Sequence, residues 1–130
     1  MTARRLTEEW IHLGLGATAE PQPPFDGMEW YADYTRRYAR DGKEARLISK
    51  YCFAEDWNAW EMHPSGAEVV ICTSGEMVLL QELDGEVVET RLSPGEYAIN
   101  PAGVWHTANI AETAEAIFIT AGVGTEHRPR

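Results

Sequence analysis

From residue 45 to residue 120 the chain alternates short β-rich runs with turn signals, and this alternation constrains the fold more than any other feature. The runs cover 45–53, 59–62, 68–72, 77–83, 87–92, 97–99, 106–110 and 116–120. Pro64-Ser65-Gly66, Ser74-Gly75, Asp84-Gly85 and Ser93-Pro94-Gly95 separate them. Glycine and proline at such positions set backbone angles that a strand does not tolerate. Many short strands with evenly spaced turns predict an all-β sandwich or barrel. Asp84-Gly85 between Leu83 and Val87 predicts a tight hairpin.

The region before residue 44 reads differently. Residues 1–25 resemble an arm, with Thr7 placed to cap a short turn whose apolar side is Trp10, Ile11 and Leu13. Gly14 and Gly16 end that turn, and Pro21, Pro23 and Pro24 force an extended path. Trp10 needs a cover, either the chain's own barrel or a second subunit. Residues 26–39 predict a helix, with Asp26 and Glu29 as a capping box and Gly42 as the stop. Trp30, Tyr31, Tyr34 and Tyr38 share one face at helical spacing, which reads as a packing face. The division expected is 1–43 as arm and helix and 44–130 as barrel, together one structural domain. The tail 122–130 is polar and is expected along the surface.

With 130 residues the chain can build one self-supporting core. Its net charge of −10 argues against nucleic acid, because phosphate binding needs a basic surface. No apolar run is long enough to cross a membrane. The first ten residues lack the apolar stretch and cleavage site of a secretory signal, so the cytoplasm is the expected location. Cys52 and Cys72 lie in apolar runs without a CxxC pattern, and both are expected as buried reduced thiols. There is no Gly-x-Ser-x-Gly elbow and no phosphate-binding glycine loop.

Two segments carry the candidate chemistry. Glu61-x-His63 is followed after four residues by Glu68 and after six more by Gly75. Gly95 is followed after five residues by Pro101-x-Gly103 and after two more by His106. Strand residues two apart share a face, so Glu61 and His63 can point into one cavity. Imidazoles and carboxylates are side chains that hold divalent metals. Each also has a plainer reading. Histidines can be satisfied core residues, Glu68 alone can be a solvated surface residue, and Glu61 can ligate, act as a base or bond a neighbour. His12 and His127, in the arm and the tail, are expected in solvated or interface roles.

These spacings resemble the two motifs of the cupin superfamily over residues 50 to 121, more than half the chain. His63, Glu68 and Gly75 match the first motif, with Glu61 standing where the family has its first histidine. Gly95, Pro101, Gly103 and His106 match the second, and its closing asparagine appears one position early as Asn109. The resemblance implies a small antiparallel jelly roll with the arm and one short helix packed outside, and a homodimer. It also implies one shared metal site built from Glu61, His63, Glu68 and His106. Iron, manganese, nickel or zinc would suit such a mixed oxygen and nitrogen set. Trp57, Trp60, Gln81, Tyr97 and Trp105 are candidate walls of a substrate pocket, with core packing as the competing reading. Two functions follow. One is a metal-dependent isomerase, dioxygenase or lyase acting on a small oxygen-rich metabolite, with Glu61 as ligand or catalytic proton shuttle. The other is a non-catalytic binding module with a degraded metal site.

Overall fold

The computed structural model describes residues 1–130. Eleven strands and one helix follow in the order β1 (Ile11–Gly14), β2 (Thr18–Pro21), α1 (Glu29–Arg37), β3 (Arg46–Phe53), β4 (Ala59–Met62), β5 (Glu68–Gly75), β6 (Met77–Leu83), β7 (Glu86–Leu92), β8 (Tyr97–Asn100), β9 (His106–Asn109), β10 (Ala114–Thr120) and β11 (Glu126–Pro129). The strands form two antiparallel sheets, a six-stranded one in the order β2-β1-β3-β10-β5-β8 and a five-stranded one in the order β11-β4-β9-β6-β7. This is the all-β sandwich expected from the turn pattern, in the jelly-roll form that the family resemblance implies.

Period two explains what lies between the sheets. In β5, Glu68, Val70 and Cys72 are buried while their neighbours are half-buried. In β10, Ala114, Ala116 and Phe118 alternate in the same way. Together with Met77, Leu92, Ala108 and Ile110 they form the main core cluster. Glu68 therefore faces inward because its strand must bury Val70 and Cys72. Two turns are set by their residues. Asp84 and Gly85 both have positive φ (52° and 81°) and close a two-residue hairpin between Leu83 and Glu86. Gly75 has φ 69°, and a Cβ there would stand 2.0 Å from the Thr113 carbonyl oxygen, so only glycine fits.

The arm differs from expectation. Thr7 lies inside a turn in which the Glu8 and Glu9 amides donate to the Arg5 carbonyl at 3.0 and 2.9 Å, and caps nothing. After that turn the chain becomes a β-hairpin. β1 pairs with β3, opposing Ile11 to Ile48 and His12 to Leu47, so the arm extends the six-stranded sheet. Trp10 is covered by its own chain, with ring centroids 4.9 Å from Phe25, 4.8 Å from Trp30 and 5.1 Å from Tyr51.

The helix starts at Glu29, with Met28 at the N-cap and no capping side chain. Gly27 (φ 141°) breaks the helical path, which leaves Asp26 too far out to cap. The aromatic face packs as expected, and Trp30 is buried against Trp10 and Leu47. A 3-10 turn (Ala39–Asp41) follows, and Gly42 ends it in the left-handed region (φ 63°). His12, expected in a solvated or interface role, is 1% exposed. Its Nδ1 lies 2.6 Å from the Tyr34 hydroxyl, its Nε2 lies 2.7 Å from Asp41 Oδ2, and its ring stacks on Tyr38 at 3.5 Å. This knot ties hairpin to helix.

The polar tail runs along the surface as expected, and there it forms an edge strand, β11, which pairs with β4 from Glu126↔Met62 to Pro129↔Ala59. One more expectation changes. Cys72 is buried, but Cys52 is exposed and its thiol donates to Glu115 Oε1 at 3.0 Å. Both cysteines are free.

Candidate metal centre

Backbone register assembles the centre. Across the five-stranded sheet, β11, β4, β9 and β6 place His127, Glu61, His106 and Gln81 directly opposite one another in one row. Cross-strand partners project to the same face, so this row is a polar stripe. On the six-stranded sheet, β5 and β8 pair Glu68 with Asn100. His63 lies just beyond β4, and the Gly103 amide donates to its carbonyl at 3.0 Å. The Pro101-x-Gly103 turn thus binds the first motif segment to the second by a main-chain bond. Gly103 takes φ 78° to make that turn.

One ligand atom each from Glu61, His63 and His106 lies within 4.8 Å of the others. His63 Nε2 is 3.7 Å and His106 Nε2 is 3.9 Å from Glu61 Oε2. Glu68 lies beside them, with Oε2 3.1 Å from His63 Nε2 and Oε1 3.3 Å from His106 Nε2. Those short approaches are not in line with the rings, and both Nε2 atoms are buried without a hydrogen-bond partner. An orphaned buried nitrogen is costly, and two that converge on one carboxylate call for an explanation.

The other ring nitrogens supply it. The Thr125 hydroxyl donates to the Gly122 carbonyl at 2.9 Å, so it can only accept from His63 Nδ1, 2.8 Å away. The Val104 carbonyl, an acceptor only, stands 3.4 Å from His106 Nδ1. In the neutral rings both protons therefore belong on Nδ1, which leaves each Nε2 lone pair free beside the Glu68 and Glu61 carboxylates. Fixing one ring nitrogen to free the other is how proteins orient metal-binding histidines. The residues present fit a divalent ion with nitrogen and oxygen donors.

Glu68 is held from behind. Asn100 Nδ2 donates to its Oε1 at 3.0 Å and the Thr120 hydroxyl to its Oε2 at 2.6 Å. Gln81 Nε2 in turn donates to Asn100 Oδ1 at 2.7 Å and to the Ile99 carbonyl at 2.9 Å. Burial pushes the Glu68 carboxyl up, but His106 and His63 beside it outweigh burial and hold it well below the usual carboxylate range. Burial pulls His63 down, and the Glu68 and Glu61 charges more than reverse that, leaving it above the ordinary imidazole range.

The centre opens on a cavity of about 1340 Å³ that runs along β3 and β4 to helix α1. Glu61, His63, Glu68, Thr120, Thr125, His127 and Trp57 are among its lining residues. Four of the expected wall residues are not. Glu61 points inward, so its neighbour Trp60 must point outward, where it and Trp105 flank the Arg128 guanidinium at 5.2 and 4.6 Å. Arg128 also pairs with Glu82 there. Tyr97 is 65% exposed because its strand turns Ala98 and Asn100 inward. Gln81 does face inward, but its amide is engaged by Asn100 and Ile99 behind the cavity.

His127, expected in the solvent or at an interface, lines the cavity with Nε2 3.4 Å from Glu61 Oε1. Asn100, Thr120 and Thr125 were not singled out in the sequence. Strand alternation from Phe118 could have placed Thr120 inside, and Asn100 adjoins the Pro-x-Gly turn. Thr125 carries no such signal.

A double antiparallel sheet with imidazoles and carboxylates gathered between its layers defines a jelly-roll protein with a candidate metal site. The chain belongs to the cupin domain family, whose model matches residues 54–128. No curated protein matches it in sequence. Several solved structures share the fold. An oxalate oxidase in complex with the substrate analogue glycolate has a TM-score of 0.55 at 15% identity, over 62% of this chain and 45% of that one. A cupin superfamily protein from Desulfitobacterium hafniense has a TM-score of 0.50 at 21% identity, over 58% and 65%. An Fe(II) form of HppE with an alternative substrate has a TM-score of 0.50 at 16% identity, over 58% and 42%. The chain spans less than two thirds of each of these structures, and the likeness is one of fold.

Proposed function

We propose that the protein is a divalent-metal-dependent enzyme acting on a small molecule with oxygen donors, in an isomerase, dioxygenase or lyase type of reaction. The observation that carries this reading is the pair of buried, partnerless Nε2 atoms that converge beside the Glu68 and Glu61 carboxylates. His63, His106 and Glu61 would hold the ion, with Glu68 as the fourth donor. Iron, manganese, nickel and zinc all suit this set. Such an ion supplies Lewis-acid polarisation of a substrate oxygen.

The remaining chemistry belongs to the protein. Glu61 is the carboxylate of the centre that keeps contact with the open cavity, with 30% of its side chain exposed against 4% for Glu68. It is therefore the group able to take or give a proton at a substrate atom, and His127 beside it can pass that proton outward. Asn100 and Thr120 prevent Glu68 from turning away. Thr125 and the Val104 carbonyl hold the imidazoles.

Glu61 in the place of the family's first histidine favours a second reading, a non-catalytic binding module for a metabolite or sugar. Metal content separates the two. Protein purified without a chelator or a metal-binding tag should carry near-stoichiometric metal, and His106→Ala should lose it. Absence of metal, even after incubation with each ion, would select the binding module.

We also propose a homodimer formed through β2, a sheet-edge strand whose four residues are all exposed. A monomer mass in light scattering at micromolar concentration would refute it. No helix is long and apolar enough to cross a membrane. The two free thiols fit a reducing compartment, the cytoplasm in our reading.

A further inference from the structure

The cavity above the centre has a chemistry of its own. A file of rings leads from the helix to the candidate metal site. Tyr31 on α1 hydrogen-bonds through its hydroxyl to Tyr51 on β3. Tyr51 stacks on Phe53 with centroids 5.8 Å apart and planes at 17°. Phe53 meets Trp57 at 5.5 Å, and Trp57 meets His106 edge-on at 6.1 Å. All but His106 in this file line the cavity, and Phe118 backs it. Trp57 keeps a buried indole N–H without a partner.

Charge narrows the occupant further. The lining holds four carboxylates, Glu55, Asp56, Glu61 and Glu68, against Lys43 as the only lysine or arginine. A phosphate, a sugar nucleotide or a small dicarboxylate would meet repulsion and find no guanidinium to pair with. A two-carbon acid would also leave the ring walls unfilled.

Resting on the reading of Glu61, His63 and His106 as a metal site, we propose that this cavity takes a flat aromatic molecule, neutral or singly charged, that presents phenol or enol oxygens to that centre. The aromatic body lies along Phe53 and Trp57. One of the Tyr31 and Tyr51 hydroxyls donates to the other, and the proton left free donates to a polar group on the molecule's far side. Burial pushes both phenols above the ordinary tyrosine range, so they stay protonated donors.

The probe is 2,3-dihydroxynaphthalene, with oxalate and glucose 1-phosphate as anionic comparators. Isothermal titration uses the full chain in metal-free and zinc-loaded forms, zinc being redox-inert. The diol should bind the zinc form at least about 30-fold more tightly than either anion, and the metal-free form about tenfold more weakly than the zinc form. Trp57→Ala, checked for fold by circular dichroism, should lower diol affinity about tenfold. Tyr31→Phe should leave diol affinity unchanged, because the diol has no polar group on its far side, and should lower the affinity of 2,3,6-trihydroxynaphthalene about fivefold; an equal affinity of that triol for both proteins overturns the far-side contact. Tighter binding of either anion overturns the proposal. So does zinc uptake at one equivalent with no diol binding, an outcome that leaves the metal reading standing. Diol binding to a protein that takes up no zinc upholds the aromatic cavity and removes the metal reading.

Discussion

Two regions of the molecule bury a histidine almost completely, and they do opposite things with it. In the N-terminal knot, His12 is 1% exposed and both ring nitrogens have partners, Tyr34 and Asp41, while Tyr38 covers its face. In the barrel centre, His106 is 0% exposed, Val104 faces one nitrogen, and the other is left bare beside Glu61 and Glu68. Burial is the same and satisfaction is not. A satisfied buried imidazole joins elements of the fold. A half-satisfied one, next to a second of its kind and two carboxylates, costs folding energy that only a ligand repays. Burial alone therefore does not mark a site, and neither does one unpaired atom, since the Trp10 indole nitrogen is also bare in the N-terminal cluster; two bare nitrogens converging beside two carboxylates do.

This contrast can be broken by crossing the two histidines. His106→Ala should weaken divalent-metal binding about a thousandfold or more, read by titration with a competing chelator. Its metal-free stability should fall by less than that of His12→Ala, because removing a bare buried nitrogen offsets part of the cavity and of the weak Val104 contact. His12→Ala should do the reverse. It should cost about 3 kcal/mol in urea denaturation, through two lost hydrogen bonds and a cavity, with full metal stoichiometry retained. A metal loss in His12→Ala equal to that of His106→Ala would erase the distinction between the regions.

Smaller effects sharpen it. Thr125→Val removes the acceptor that keeps the His63 proton on Nδ1, and metal affinity should fall about tenfold with stability near wild type. If affinity is unchanged, Thr125 does not orient that ring. The knot has its own pH signature. Burial, then the Tyr38 and Asp41 charges, raise Tyr34 above the tyrosine value of 10.0. A group raised on folding contributes stability that is present below its unfolded value and is lost as pH climbs toward its folded one. Stability should thus decline above about pH 10, and the decline should be shallower in Tyr34→Phe. Equal slopes in urea series at about pH 9 and pH 11 would remove Tyr34 from the knot's electrostatics.

The barrel was legible because its signals are local. Turn residues and period-two runs place β4 and β6 at their observed bounds, and the two motif segments supply Glu61, His63 and His106, which cluster, and Glu68, which lies beside both imidazoles. The arm was misread because Ile11-His12-Leu13 is too short to show a period, and its strand character comes from pairing with β3. The pocket walls failed for a related reason. Trp60 and Trp105 are one residue from inward ligands, and a shift of one residue moves a side chain to the opposite face. β11 was missed because nothing within 122–130 announces a pairing with β4.

That distant pairing has a consequence for how the protein is made. Thr125 lies 62 residues after the His63 that it orients. During synthesis Glu61 and His63 leave the ribosome long before their partners, and a bare carboxylate–imidazole pair binds any available cation loosely. Only when β11 zips onto β4 is the imidazole aimed. On the proposed metal reading, the choice of ion is then a late event in biogenesis, set by a closed barrel rather than by the nascent chain, and whatever delays β11 prolongs the interval in which the wrong ion can enter.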